Sequence, residues 1–234
     1  LFGVVTRDVV HYSRREGVGL FSRLFGNTAG LVETRKGKLY GREDVTRAMQ
    51  DTASASSPVT DSAAAASAWG GGERVNNGSI NFSVEGNSLT PLFSYAKAAG
   101  KATGLVTTCT VTHATPAGFS ANVKARGREK EIAQQYLQRE IDVILGGGSK
   151  HFNYEAFKLD NVTQPAANLI PDFEAKGYQV VRDRQSLAAA KGQSKLLGLF
   201  SPGHIPFAID RKNDPALKQV PSLPDMFSTA LSSL

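Results

Sequence analysis

The sequence predicts an α/β fold: a mainly parallel sheet covered by helices on both faces. Three observations carry that expectation. Runs with the β-branched content of buried strands, ATGLVTTCTVT and IDVILGGG, alternate with helical stretches of about ten residues, the pattern of βαβ units. Gly and Pro punctuate the boundaries, as Pro91 and Gly100 do around SLTPLFSYAKAAGKA. Length and composition also suit a globular protein with a sizeable core: 234 residues, 41% hydrophobic and 21% charged.

In chain order, residues 1–51 mix the short apolar runs GVV, GLF and GLV with dense Arg and Lys, and EDVTRAMQ reads as a short helix. We treat 1–51 as an atypical basic segment and 52–234 as the domain proper. TASASSPVT is an extended approach, with Pro58 keeping Ser57 out of the helical region. VTDSAAAASAW then starts a helix, because Ala is the strongest helix former and Asp61 or Ser62 is a preferred N-cap. In WGGGERVNNGSINFSVEGNS, the Asn77-Gly78 pair suits a tight hairpin. SLTPLFSYAKAAGKA is an amphipathic helix, and ATGLVTTCTVT is a strand. TPAGFSANVKA restarts as a helix with Thr115 as N-cap and Pro116 at its first position. EIAQQYLQRE (helix), IDVILGGG (strand), NLIPDFEAKG (helix), YQVVRD and KLLGLFS (strands) and LPDMFSTALSSL (helix) complete the order.

Charge and cysteine usage narrow the function. The net charge is +6, and residues 1–50 supply +4 of it, with nine Arg or Lys against five Asp or Glu. No nucleic-acid module accompanies that charge, so a solvated basic face or attraction for small anions explains it. Cys109 is alone, which excludes an intrachain disulfide framework and a Cys-based zinc site. No apolar run reaches the roughly 20 residues of a transmembrane helix, and no signal-peptide pattern is visible. Leu1 stands where Met would open a gene product, which fits either a missing start or a processed leader.

Ligands in open parallel sheets sit beyond the carboxyl ends of the strands. Ser62, His113 with Thr115, and Gly146–Gly148 all fall at such ends. Ser62 is either a plain helix start or a nucleophile facing an anion over the helix N-terminus, where free N–H groups favour phosphate. Taken singly, Thr115 is a helix cap, His113 a polar loop residue and Arg126 a solvated helix-end cation. Gly146–Gly148 read as a strand-to-loop turn, since no Lys-Ser/Thr ending of a P-loop follows. His11, His151 and His204 read as surface residues. Asn77-Gly-Ser and Asn161-Val-Thr fit glycosylation sequons, a three-residue match of little weight.

Taken together, VTDSAAAASAW, KAAGKATGLVTTCTVTHATPAGFSANVKAR, DVILGGGSKHF, GYQVVRD and KLLGLFSPGHIP resemble the bacterial alkaline phosphatases, in order, from about Thr52 to the C-terminus. The resemblance implies an incomplete three-layer α/β/α sandwich. It also implies hydrolysis of phosphate monoesters through a covalent phosphoserine, with two zinc ions and one magnesium. On that resemblance Ser62 is the nucleophile and touches one zinc, and Asp61 helps to orient the substrate-binding Arg. Thr115 is a hydroxyl ligand of magnesium, His113 stands near that metal, and Arg126 grips two phosphate oxygens. The chemistry suits these types. A Ser hydroxyl is a weak nucleophile until a metal or base removes its proton, and an Arg fork matches two phosphoryl oxygens. Small phosphate monoesters as partners, periplasmic or secreted localisation and a homodimer are implied by the same resemblance.

Other family features are missing. The Gly-Asp-Gly turn that supplies a first metal ligand does not occur, and neither Asp-x-x-x-His nor Asp-His is present. Val84-Glu85-Gly86 mimics a ligand stretch from the family's C-terminal half, but it lies in the turn after the nucleophile helix and is a decoy. A truncated or rearranged chain is therefore expected, with a sheet short of its first and last strands. Zinc activation of Ser62 and of the leaving oxygen are each worth several kcal/mol. At about 1.4 kcal/mol per tenfold in rate, the chain alone is expected to be nearly inactive. A non-catalytic anion-binding or interaction domain on the same fold is the alternative. A sulfatase or phosphodiesterase is a third reading, and VTDSAAA argues against it.

Overall fold

The computed structural model describes residues 3–4 and 52–234; the expected helix EDVTRAMQ and His11 lie outside the described residues. In chain order the elements begin with β1 (Gly3–Val4), α1 (Ser62–Gly71), α2 (Leu92–Ala98), β2 (Gly104–Thr110), α3 (Ala114–Ala117), α4 (Glu129–Gln138) and β3 (Val143–Gly147). Four short strands follow: β4 (Asn153–Tyr154), β5 (Phe157–Leu159), β6 (Val162–Gln164) and β7 (Ala167–Asn168). The chain then forms α5 (Ile170–Ala175), β8 (Gln179–Val181), α6 (Arg184–Ala189), β9 (Leu196–Leu199), α7 (Ala208–Asn213) and α8 (Leu223–Ser233). The main sheet has the order β1-β2-β3-β9-β8. All its neighbours run parallel except β1, which pairs antiparallel with β2. The remaining pairs, β4–β7 and β5–β6, form two small antiparallel ribbons.

Strand periodicity sorts the core into two layers. Leu105, Ile144, Leu197 and Leu199 project into one cluster, packed by Ala63, Phe93, Ile132, Tyr136 and Phe173 from α1, α2, α4 and α5. Their sequence neighbours Val106, Val143, Leu145 and Leu196 face the other cluster, against Leu187 of α6 and Met226 and Ala230 of α8. Each fully buried aliphatic side chain contributes about 1.5–3 kcal/mol, and both faces have many. This is the expected sheet with helices on both sides. No helix among the described residues is long and apolar enough to cross a membrane.

The helices α6 and α7 and the ribbon strands β4–β7 were not expected, and two expected elements take a different form. The helix expected over TPAGFSANVKA lasts only from Ala114 to Ala117, with His113 rather than Thr115 at its N-cap. Thr115 is a buried residue inside the helix. The helix stops because tertiary partners claim the backbone that follows. Asn81 Nδ2 donates to the Gly118 and Ala121 carbonyls at 2.8 and 2.7 Å, and Val123 bridges Ile80. Second, Asn77-Gly78 makes a tight turn, with Gly78 at φ +81°, but no hairpin. Ile80 beyond it pairs with Val123 instead of folding back on its own strand. Capping-box helices α6 and α8, opened by Asp183 and Ser222, frame the opposite layer.

The alanine run of α1 is explained by how closely the 118–121 segment approaches it. A Cβ at Gly70 would lie 1.8 Å from the Gly118 carbonyl oxygen, and one at Gly118 would lie 2.6 Å from the Ala66 Cβ. Ala63, Ala64, Ala66, Ala68 and Gly70 are all buried, so α1 presents small side chains on most of its circumference. Helix propensity alone would make Gly70→Ala stabilising by up to about 1 kcal/mol. Overpacking reverses that sign, and we expect a loss of about 2 kcal/mol or more. Gly127→Ala, where a Cβ meets nothing within 4 Å, should be near neutral. Urea unfolding of both variants checks this, and an unchanged midpoint for Gly70→Ala would contradict the packing.

Candidate active site

Asp61 settles which residue caps α1. Its φ of −95° and ψ of 173° are extended, and its Oδ1 accepts the Ala64 N–H at 2.9 Å. Ser62 occupies the first helical position, and its hydroxyl makes no hydrogen bond among the described residues. Two further donors reach the other Asp61 oxygen. The Gly78 N–H donates to Oδ2 at 2.9 Å, and Arg126 Nη1 donates to it at 3.2 Å. The Arg126 N–H in turn donates to the Gly78 carbonyl at 2.7 Å. Asn77 closes the ring from outside, accepting from the Asp61 N–H and donating to the Val59 carbonyl. Arg126 is therefore fastened by its backbone to Gly78 and by its side chain to Asp61, the residue that precedes Ser62.

The other end of the guanidinium faces His113. Arg126 Nη2 lies 3.0 Å from His113 Nε2. Arginine can only donate, so Nε2 accepts and the neutral ring carries its proton on Nδ1. That Nδ1 is buried and has no hydrogen-bond partner among the described residues. Burial pushes the His113 pKa down and the Arg126 charge adds to the effect, so the ring is neutral at neutral pH. For Asp61, burial alone would raise the pKa. The Ala64 and Gly78 N–H groups and Arg126 outweigh it and hold the carboxyl below its ordinary value.

Sequence reasoning missed the layer behind His113. Glu129 Oε2 accepts from the Thr110 and Thr112 hydroxyls at 2.7 and 2.6 Å, fixing the end of β2 and the turn that leads to His113. Burial works against the Glu129 charge, but the two hydroxyls hold its pKa down. Two histidines border this layer: His151, expected at the surface, is half-buried, whereas His204 is exposed as expected and still reaches the layer through its ring. His151 Nε2 lies 3.2 Å from Glu129 Oε2, too far out of line for a hydrogen bond, and burial keeps the ring's pKa low. His204 Nδ1 accepts the Thr110 N–H at 2.9 Å, and its ring meets that of His113 edge-on at 5.8 Å. These contacts span up to 94 residues, so no local spacing betrays them.

Of the expected site residues, the fold brings Asp61, Arg126 and His113 into direct contact and places Ser62 beside them. Thr115 lies two residues beyond His113, nearly buried, with no hydrogen bond among the described residues. Arg126, read singly as a solvated cation, is one-third exposed and paired. Glu85 accepts from Ser83 within its own turn, away from these groups. Gly146–Gly148 form the strand exit, where Gly148 takes φ +99°. No group of three His, Cys, Asp or Glu side chains among the described residues is placed to hold a metal ion.

Comparison with known proteins agrees with this architecture. The alkaline phosphatase family profile matches residues 25–234. Alkaline phosphatase 3 of Bacillus subtilis is 39% identical over 182 residues, which cover 75% of this chain and 36% of the relative. The alkaline phosphatase structure from Thermus thermophilus superposes with a TM-score of 0.67 at 42% identity, over 78% of this chain and 37% of that one. A variant of the alkaline phosphatase from the Antarctic bacterium TAB5, described with magnesium bound, matches at 23% identity and a TM-score of 0.60, over 78% and 49% of the two chains. It attests the fold. The chain thus spans little more than a third of the length of its curated relative.

Removing the Asp61 carboxylate should loosen α1 and Arg126 together. We expect Asp61→Ala to cost about 2 kcal/mol from the lost cap and orphaned donors, and Asp61→Asn to cost less. The wild-type contribution is complete above the ordinary carboxyl pKa of 3.8 and fades as pH falls through the lower folded value. Urea unfolding at stepped acidic pH should show that loss in the wild type, with a shallower slope in Asp61→Asn. Equal slopes would refute it.

Proposed function

The chain belongs to the alkaline phosphatase family, and we propose that it acts on small phosphate monoesters with Ser62 as the phosphoryl acceptor and Arg126 as the phosphate clamp. The supporting observation is the Arg126–Asp61 pair, which seats a guanidinium beside the one hydroxyl at the head of α1. Each terminal nitrogen of Arg126 spends one N–H on Asp61 or His113 and keeps another for a phosphoryl oxygen. Charge spread over those oxygens in the transition state is what such a fork stabilises. In the reaction, the Ser62 Oγ–P bond forms as the ester P–O bond breaks; Ser62 loses its proton and the departing alcohol oxygen gains one. Water then cleaves the Oγ–P bond, restoring the hydroxyl and releasing phosphate. The developing negative charge also falls on the N-terminal end of α1, where the helix dipole favours it.

The described residues make only a fragment of a metal shell. Thr115 offers one hard oxygen of the kind magnesium takes, and magnesium there would supply positive charge beside the phosphoryl group. Zinc in catalytic sites takes about three protein ligands, and no such trio converges among the described residues. His113 has no lone pair free while Nε2 accepts from Arg126. No step above runs through a metal ion. Export from the cytoplasm and dimerisation, which the family resemblance implies, are part of the proposal.

One observation favours a second reading, a non-catalytic oxyanion-binding domain: no base among the described residues accepts the Ser62 proton. Incubation with p-nitrophenyl phosphate, zinc and magnesium, followed by acid quench and mass spectrometry, separates the two. We expect a phosphate adduct on the Ser62 peptide, absent in Ser62→Ala and formed on the order of 10² times more slowly in Arg126→Ala. Phosphate binding with no adduct in the wild type would establish the second reading instead.

A further inference from the structure

A separate cleft of about 200 Å³ opens at the same edge of the sheet, lined by Ser149, Lys150, Asn153, Asn168, Arg182 and the apolar pair Ile170 and Pro202. It shares no lining residue with the Asp61–Ser62–Arg126–His113 group. Its walls come from the segments that leave β3, β8 and β9, the place where open parallel sheets bind ligands.

Those walls are fixed at their bases. The N–H groups of Gly148 and Ser149 both donate to the Ser201 carbonyl, at 2.8 and 3.0 Å. That sets the turn carrying Lys150 against the loop carrying Pro202. The Arg182 N–H lies 3.3 Å from the Ser186 Oγ that accepts it. Asn168 Oδ1 accepts the Ile170 N–H, which leaves the Asn168 amide hydrogens free to donate.

The charge in the cleft is one-sided. Lys150 and Arg182 form no ion pair among the described residues, and no carboxylate lines the walls. The nearest acid in sequence, Asp183, is committed to capping α6 through the Ser186 N–H at 2.8 Å. Drug-sized ligands occupy about 300–1,000 Å³, so this volume suits something smaller.

We propose that the Lys150–Arg182 cleft is a second oxyanion site, taking the phosphate group of a small organic phosphate whose carbon portion leans on Ile170 and Pro202. The two cations and the Asn168 amide hold the oxygens, and the exposure of both cations makes the binding weak and salt-sensitive. It is independent of Arg126 and of any turnover at Ser62.

The test is an NMR titration of the ¹⁵N-labelled full chain with phenylphosphonate, and separately with inorganic phosphate, in an Arg126→Ala background. Shifts should appear at Lys150, Asn168 and Arg182, and adding Lys150→Ala with Arg182→Ala should weaken binding about tenfold. Lys150→Glu should weaken it further while leaving the thermal midpoint near that of the parent. Tighter binding of phenylphosphonate than of phosphate supports an organic ligand; equal affinity overturns that part and leaves a free-phosphate site. Unchanged affinity in the double variant, or no shifts once Arg126 is replaced, overturns the site altogether.

Discussion

A single carboxylate organises the candidate site. Asp61 gives one oxygen to the Ala64 N–H, which starts α1, and the other to Gly78 and Arg126. The helix carrying Ser62 and the segment carrying Arg126 are separated by more than fifty residues of chain. They share a partner that is charged because of both. Three donors overcome the burial that would otherwise favour the neutral acid, so cap, turn and clamp stand or fall together.

Around that carboxylate, polar groups replace regular secondary structure. The stretch from Gly118 to Arg126 is neither helix nor strand, yet its buried part, Gly118 to Val123, has every backbone N–H bonded. Asn81 takes the Gly118 and Ala121 carbonyls, Gln135 exchanges bonds with both backbone groups of Asn122, and Arg139 takes the Ser120 carbonyl at 2.6 Å. Such buried networks rigidify only when satisfied, since each unpaired buried group costs about 1–3 kcal/mol. This one is satisfied except at Asn81 Oδ1. It allows Arg126 to sit on an irregular segment without being mobile on that account. The close approach of Gly70 and Gly118 serves the same end by removing side chains from the gap.

Glu129 plays the matching part at the end of β2. Its carboxylate gathers Thr110 and Thr112, while His204 takes the Thr110 N–H, so the turn into His113 is held from two sides. The consequence is chemical. His113 is presented to Arg126 as a neutral acceptor rather than as a competing cation, which leaves the guanidinium the principal positive charge beside Ser62. Arg126 and Asp61 then work as a pair, the acid orienting the fork and the fork keeping N–H groups for an anion. The Lys150–Arg182 cleft, built where β3, β8 and β9 end, obeys the same logic of strand exits without sharing any of these groups.

What the sequence determined by itself was whatever depends on near neighbours. The order of β2, β3, β8 and β9 and of most helices around them was legible because burial imposes periods of two and 3.6 residues on the chain. Helix starts such as Pro91 before α2, and the small side chains of α1, were legible because caps and turns act within a few residues. The VTDSAAAA and HATPAGFSANVKAR stretches carried the site's residue types for the same reason. Tertiary structure decided the rest. Whether Asp61 or Ser62 caps α1 depends on Gly78 and Arg126, neither of which is local. The helix expected after Thr115 ends at Ala117 because Asn81, far upstream, claims its carbonyls. His151 is drawn half into the protein because Glu129 lies against it, and His204, exposed as expected, is turned onto the Thr110 N–H. Hydrogen bonds and charge act through space over a few ångströms, and only folding brings such groups that close.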